Sequence, residues 1–177
     1  LFTKRDGLPG TQVFGLRVTR DQDGSDTLWV GTRGDGIGRL RRGKWTVYGS
    51  KEGVTNPSVY CFHESRGRDG KRWLWAGTFG GGALRFALDG SETQTWESFD
   101  VKKYPDIPSN VVVRIEEDFQ GRIYLVTQRG VARLSFDDST NASRPSKVEN
   151  YGTGDGLPPV SCSYGASWVD HAGRIWV

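Results

Sequence analysis

Short apolar stretches separated by glycine-bearing turns run the length of the chain, and no segment sustains the apolar spacing of an amphipathic helix. One stretch recurs. Leu28-Trp29-Val30-Gly31-Thr32 returns as Leu74-Trp75-Ala76-Gly77-Thr78, more loosely as Ile123-Tyr124-Leu125-Val126-Thr127, and begins again as Ile175-Trp176-Val177. Measured on the aromatic residue, the steps are 46, 49 and 52 residues. Other apolar stretches keep the same phase. A second strand is predicted over 37–40, 83–86 and 131–134, and a third over 45–48, 96–99 and 148–151. A turn follows each third strand: Glu52-Gly53-Val54, Asp106-Ile107-Pro108 and Asp155-Gly156-Leu157-Pro158, with Asp6-Gly7-Leu8-Pro9 ahead of the first unit. Another strand, over 13–19, 59–64, 111–117 and 164–169, then leads through a short turn (Asp23-Gly24, Asp69-Gly70, Gln120-Gly121, Ala172-Gly173) to the next aromatic.

A unit of four short strands in about 50 residues is the blade of a β-propeller. The predicted fold is therefore all-β, with blades of four antiparallel strands and about 3.5 repeats of 46–52 residues. Blades are expected over 6–50, 51–100 and 101–152, with 1–3 ending a preceding blade and 153–177 an incomplete one. A single four-stranded sheet cannot bury both faces, whereas sheets stacked face to face can. Each buried Trp then removes about 150–250 Å² from water, or roughly 4–6 kcal/mol gross. Trp29, Trp75, Tyr124 and Trp176 are accordingly expected in the core between blades. Propellers close with about four to eight blades, so this chain reads as a fragment of a larger ring. Self-association of copies through open blade edges is the competing expectation.

Composition agrees and narrows the chemistry. The 25 glycines and the 7 Trp, 6 Tyr and 8 Phe suit tight turns between short strands. No apolar run is long enough to span a membrane, so a membrane enters only through flanking segments. The net charge of +3 comes from interspersed residues, and nucleic-acid binding is not expected. The densest basic group, Arg39, Arg41, Arg42 and Lys44, reads as a solvated hairpin. Cys61 and Cys162 make no disulfide framework, and with only His63 and His171 no structural zinc site is expected. No cofactor is expected.

Gly34-Asp35-Gly36-Ile37-Gly38 leads into a strand, so it reads as a hairpin turn and not as a dinucleotide loop. Arg33-Gly34-Asp35 is read as part of the same turn. Asp21-Gln22-Asp23-Gly24-Ser25-Asp26 is rich in carboxylates but has Thr32 where a calcium loop needs glutamate, and it too reads as a hairpin. Asn141-Ala142-Ser143 is a formal glycosylation sequence. Gly-x-Ser-x-Gly and His-Glu-x-x-His are absent, and His63 beside Glu64 reads as a strand-end residue before an acid–base pair. The chain is not expected to be an enzyme.

Asp155-Gly156-Leu157-Pro158 with Asp170-His171-Ala172-Gly173-Arg174-Ile175-Trp176, and Asp6-Gly7-Leu8-Pro9 with Leu28-Trp29-Val30-Gly31-Thr32, resemble the two-component regulator propeller repeat. The chain departs from that pattern in its long 64–73 segment, in Val126 where glycine is usual, and at 164–167. The resemblance implies seven-bladed propellers that form the periplasmic or extracytoplasmic sensor portion of bacterial hybrid two-component and histidine kinase receptors, several of which sense oligosaccharides. By the geometry of that family, the turn after the aromatic strand and the turn after the outer strand share one face. Gln12, Arg33, Asp35, Ser58, Phe79, Tyr104, Asn110, Gln128 and Arg129 are the expected ligand-binding residues there. Rings to cover apolar sugar faces and planar polar groups to orient hydroxyls suit a small molecule or oligosaccharide. A protein-interaction scaffold is the alternative. A propeller lyase is a lesser one, since the virginiamycin-type lyases also carry strands like Ile37-Gly38-Arg39-Leu40.

Overall fold

A computed structural model describes residues 2–67, 69–89, 95–137, 144–158 and 167–177. Its regular structure is β-sheet, with three 3-10 turns and no helix long and apolar enough to cross a membrane among those residues. Three four-stranded antiparallel sheets follow one another along the chain, each in simple up-and-down order. The first holds β1 (Val13–Arg20), β2 (Asp26–Thr32), β3 (Ile37–Arg41) and β4 (Lys44–Tyr48). The second holds β5 (Val59–Arg66), β6 (Arg72–Thr78), β7 (Ala83–Ala87) and β8 (Glu97–Phe99). The third holds β9 (Val112–Glu117), β10 (Ile123–Thr127), β11 (Gly130–Ser135) and β12 (Lys147–Tyr151). A two-stranded pair, β13 (Trp168–Val169) and β14 (Ile175–Trp176), comes last.

The sheets meet along their first strands: β1 lies beside β5, and β5 beside β9. The outer strands do not approach one another in this way, so the sheets diverge from an inner edge as blades do. Glycine permits the close inner approach. A Cβ on Gly31 would sit 2.8 Å from the Val59 carbonyl oxygen of the next blade, and one on Gly77 2.8 Å from that of Val112 and 2.6 Å from Cys61 Sγ. In the third blade Val126 takes this place and is fully buried, forming a separate cluster with Val113 and Val131.

The recurring threonine has an equally local cause. Thr32, Thr78 and Thr127 are buried, and each hydroxyl donates to a glycine carbonyl across the turn: Gly36 at 2.8 Å, Gly82 at 2.7 Å and Gly130 at 2.7 Å. The acid–glycine turns are 3-10 turns at Lys4–Asp6, Ser50–Glu52 and Thr153–Asp155. In each, the acid reaches back to a backbone N–H three residues earlier, from Asp6 to Thr3 (2.8 Å), Glu52 to Gly49 (2.7 Å) and Asp155 to Gly152 (2.9 Å). The glycine that follows adopts a left-handed conformation. Asp106-Ile107-Pro108 departs from this. Ile107 is buried like Val54, but the turn is built upstream, where Asp100 accepts from the Lys102 and Lys103 amides.

The marker aromatics are equivalent in their hydrogen bonding. Trp29 donates to Thr19 and Trp75 to Ser65, both at 2.9 Å; Tyr124 donates to Asp118 at 3.0 Å and Trp176 to Asp170 at 3.1 Å. All four acceptors stand two positions beyond the residue paired with the aromatic on the first strand. Burial does not follow in step. Trp29 and Trp75 are sealed between blades, Trp29 against Phe86 and Trp96, and Trp75 against Phe99 and Phe136. Tyr124 is half-buried and Trp176 is 54% exposed: only the two-stranded β13–β14 pair follows the third blade, beside β9, and no further sheet follows that pair among the described residues. The expectation of a buried Trp176 is corrected accordingly. The long 64–73 segment proves to have longer arms and not a longer loop: Gly67 and Lys71 close it with the same backbone bond that joins Asp118 to Arg122.

Candidate functional site

Turns at 33–36, 79–82 and 128–129 lie at one end of the sheets, together with the segments that enter β5 and β9. Backbone bonds weave them into a rim. The Arg33 amide donates to the Gln12 carbonyl at 3.0 Å, and Arg33 bridges Ser58. The Phe79 amide donates to Ser58 at 2.9 Å, Gly80 and Gly82 both donate to Asn110, and Gln128 donates to Val111. The positions Gln12, Arg33, Ser58, Phe79, Asn110 and Gln128 therefore follow one another along this rim, with Arg129 beside Gln128.

Two expected residues serve the fold. Tyr104 stacks on Phe99 with ring centroids 5.6 Å apart, half-buried against the second core. Burial, helped by nearby Glu97, raises its hydroxyl above the usual pKa. Asn110 spends its side-chain oxygen on the Val101 amide at 2.9 Å. Asp35 sits in the turn beside Gly10 and pairs with Lys4 at 3.4 Å.

Two rings at this end carry no marker in the sequence motifs. Phe14 and Tyr60 stack with centroids 4.9 Å apart, and Tyr60 meets Phe79 edge-on at 5.6 Å. Phe14 and Phe79 are 47% and 44% exposed. The cause lies in the inner strands. Each of β1 and β5 has a register shift one residue in, between Val13 and Gly15 and between Val59 and Cys61, so Phe14 and Tyr60 are the bulged residues. A bulge re-aims its side chain, and the two strands are neighbours. Position 113 is the counterpart in the third blade and holds Val113. The signal available in the sequence was the shared phase of Phe14 and Tyr60, 46 residues apart.

The opposite end holds the hairpin turns. The carboxylates of the Asp21–Asp26 stretch are engaged there: Asp21 accepts from Arg41 at 2.6 Å and from Thr27 at 3.0 Å, while Asp23 pairs with Arg42 and accepts from Ser25. The hydroxyl and amide of Ser25, then Arg42, hold Asp23 well below the usual carboxylate range. No three His, Cys, Asp or Glu side chains converge as a metal site would need among the described residues. His63 lies inside β5, and its neighbour is Glu117 of the third blade at 3.4 Å; Glu64 instead binds Arg72 at 2.6 Å. The acid–base pair weighed from sequence is thus not formed with Glu64. Cys162 and the Asn141-Ala142-Ser143 sequence lie outside the described residues.

The chain matches no family model and no curated protein sequence. Solved structures do match. The extracellular domain of BT3049 from B. thetaiotaomicron, described as a hybrid two-component system, is similar over 98% of this chain, with 22% identity and a TM-score of 0.73. The corresponding domain of BT4673 from the same organism covers 93%, with 19% identity and a TM-score of 0.64. PorZ, a surface component of the type-IX secretion system of Porphyromonas gingivalis, covers 92%, with 20% identity and a TM-score of 0.55. The chain spans 21–23% of the length of those three proteins. The residue motifs and the solved structures thus lead to one architecture: propeller-like blades of a fold shared with the extracellular domains of hybrid two-component systems.

Proposed function

We propose that this chain is a blade segment of an extracytoplasmic, ligand-sensing propeller in a bacterial signal-transduction receptor, and that its rim binds an oligosaccharide. The row of rings formed by Phe14, Tyr60 and Phe79 carries the reading. Exposed aromatic faces cover apolar sugar surfaces, and Gln12, Arg33, Ser58 and Gln128 along the same rim supply polar groups to orient hydroxyls. The fold shared with extracellular domains of two-component systems supports the sensory role. In a full ring of about seven blades, the rings of successive blades would continue around the axis.

Isothermal titration of the chain against neutral oligosaccharides tests the reading, alongside Phe79→Ala and the double variant Phe14→Ala/Tyr60→Ala. Binding should weaken at least tenfold in both variants, with the unfolding midpoint of Phe79→Ala little changed because the ring is half exposed. Variants that bind every oligosaccharide as tightly as the parent, or a parent that binds none of them, would overturn it.

A further inference from the structure

Away from the rim, the outer part of the first blade holds a cleft of about 360 Å³ lined by Arg39, Arg41, Arg42, Lys44, Thr46 and Tyr48. Four of the six are cations, and no carboxylate lines it. The register of the repeats shows why this is unusual within the chain. Arg39, Arg85 and Arg133 occupy one phase, each paired across the sheet with the marker aromatic of its blade. On the outer strand, Arg85 faces Glu97 and Arg133 faces Glu149, and both arginines bind those carboxylates. Arg39 faces Thr46. Among the described residues, neither Arg39 nor Lys44 has a carboxylate partner.

The cations are held in place from outside the cleft. Asp21 accepts from Arg41 at 2.6 Å, and Asp23 pairs with Arg42. Arg39 is fixed by a 2.9 Å bond to the Tyr48 hydroxyl, and its guanidinium lies 5.6 Å over Trp29. Arg42 is the one non-glycine among the described residues with positive φ, at 48°, in the tight Arg42-Gly43 turn between β3 and β4. That position favours Asn or Gly, so a long cation there runs against turn chemistry and calls for another reason.

The geometry points to a binding site for an oxyanion — a sulfate, phosphate or carboxylate group on a small ligand — between Arg39 and Lys44, with Arg41 and Arg42 flanking. Fixed guanidinium forks donate to such groups in pairs, and the Thr46 hydroxyl adds a neutral donor. In sister blades the protein's own glutamate fills this role; in the first blade the place is open to a ligand. The site stands apart from the ring row and does not depend on the oligosaccharide reading.

The test titrates the chain with inorganic sulfate, inorganic phosphate, glucuronate and glucose, following Trp fluorescence and heat. The oxyanions should bind, more weakly as salt rises, and glucose should not; the order among the three identifies the group preferred. Thr46→Glu gives Arg39 the carboxylate its counterparts have. It should weaken oxyanion binding at least tenfold while holding or raising the unfolding midpoint. Arg39→Gln should lose binding to the same extent, and Lys102→Ala, which removes an exposed cation elsewhere, should leave it unchanged. No oxyanion binding at about 0.15 M salt, or Thr46→Glu binding as the parent does, would overturn the assignment.

Discussion

Gly77→Ala tests the seal between blades with a single methyl group. Gly77 has ordinary backbone angles, so alanine meets no conformational penalty there. Its Cβ would instead stand 2.6 Å from Cys61 Sγ, 2.8 Å from the Val112 carbonyl oxygen and 3.1 Å from Val112 Cγ1. The carbonyl belongs to β9 of the next blade and cannot yield unless that strand moves. Overpacking of this kind costs about 1–3 kcal/mol. Stiffening the unfolded chain returns about 0.4–1 kcal/mol, for a net loss of about 1–2 kcal/mol. At this chain length each kcal/mol lowers the thermal midpoint by about 2–4 °C. Urea unfolding should show a lower midpoint with an unchanged slope. Gly154→Ala is the control, because nothing lies within 4 Å of its added methyl. Adding Cys61→Ala to Gly77→Ala should recover part of the loss, with a coupling of about 0.5 kcal/mol or more. Equal midpoints for Gly77→Ala and Gly154→Ala would refute the close approach of β9 to Gly77.

Three other outcomes follow from the same geometry. Thr78→Val keeps the shape but removes the donor to Gly82 and the acceptor for the Gly81 amide; urea unfolding should show a loss of about 1–3 kcal/mol. Asp170 is held down to about 2: burial, the largest influence, pushes its pKa up, but the bonds from the Arg174 amide and guanidinium, Trp176 and Ala172 outweigh it. The unfolded carboxyl titrates near 3.9, so its stabilising contribution is in full force above that value and fades as the pH falls toward 2. A carboxyl titration followed by NMR should find Asp170 still ionised at pH 3, and a midpoint near 4 would contradict the bonding. Burial pushes the Cys61 thiol up to about 12. In a Cys162→Ser background the native protein should resist thiol reagents at pH 8 and react on addition of denaturant, whereas prompt native labelling would place Cys61 at the surface.

Much of the fold was legible because it is local. The recurring phase of the apolar stretches and the turn residues placed strands of the first three blades within a residue or two, as with 13–19 against Val13–Arg20 and 59–64 against Val59–Arg66. The Gly-Thr and Asp-Gly signatures also have causes within a few residues: a hydroxyl bonding across a turn, and an acid bonding back to an amide. What stayed hidden depends on which blade lies alongside. His63 meets Glu117, 54 residues away, and not its neighbour Glu64. Tyr104 reads as an exposed loop aromatic, yet a loop folded back onto Phe99 takes it inward. Phe14 and Tyr60 meet because bulges turn them at adjoining inner strands, and a bulge leaves little trace in an apolar pattern. Arg39 differs from Arg85 only through the residue opposite, which requires the register.

The two ends of the blades differ in what holds them. At the rim, the turns of the first two blades each give two amides to one carbonyl on the approach to the next blade: Gly34 and Gly36 to Pro57, and Gly80 and Gly82 to Asn110. At the far end, the hairpin turns close on themselves, and arms of different length end in the same backbone bond. Extra residues inserted beside Gly70 would thus extend a hairpin into solvent, while the same insertion at 34–36 would unlatch two blades at once. Peptide tags and reporter groups belong at the far end, and a ligand that shifts a rim turn would tug directly on the adjoining blade.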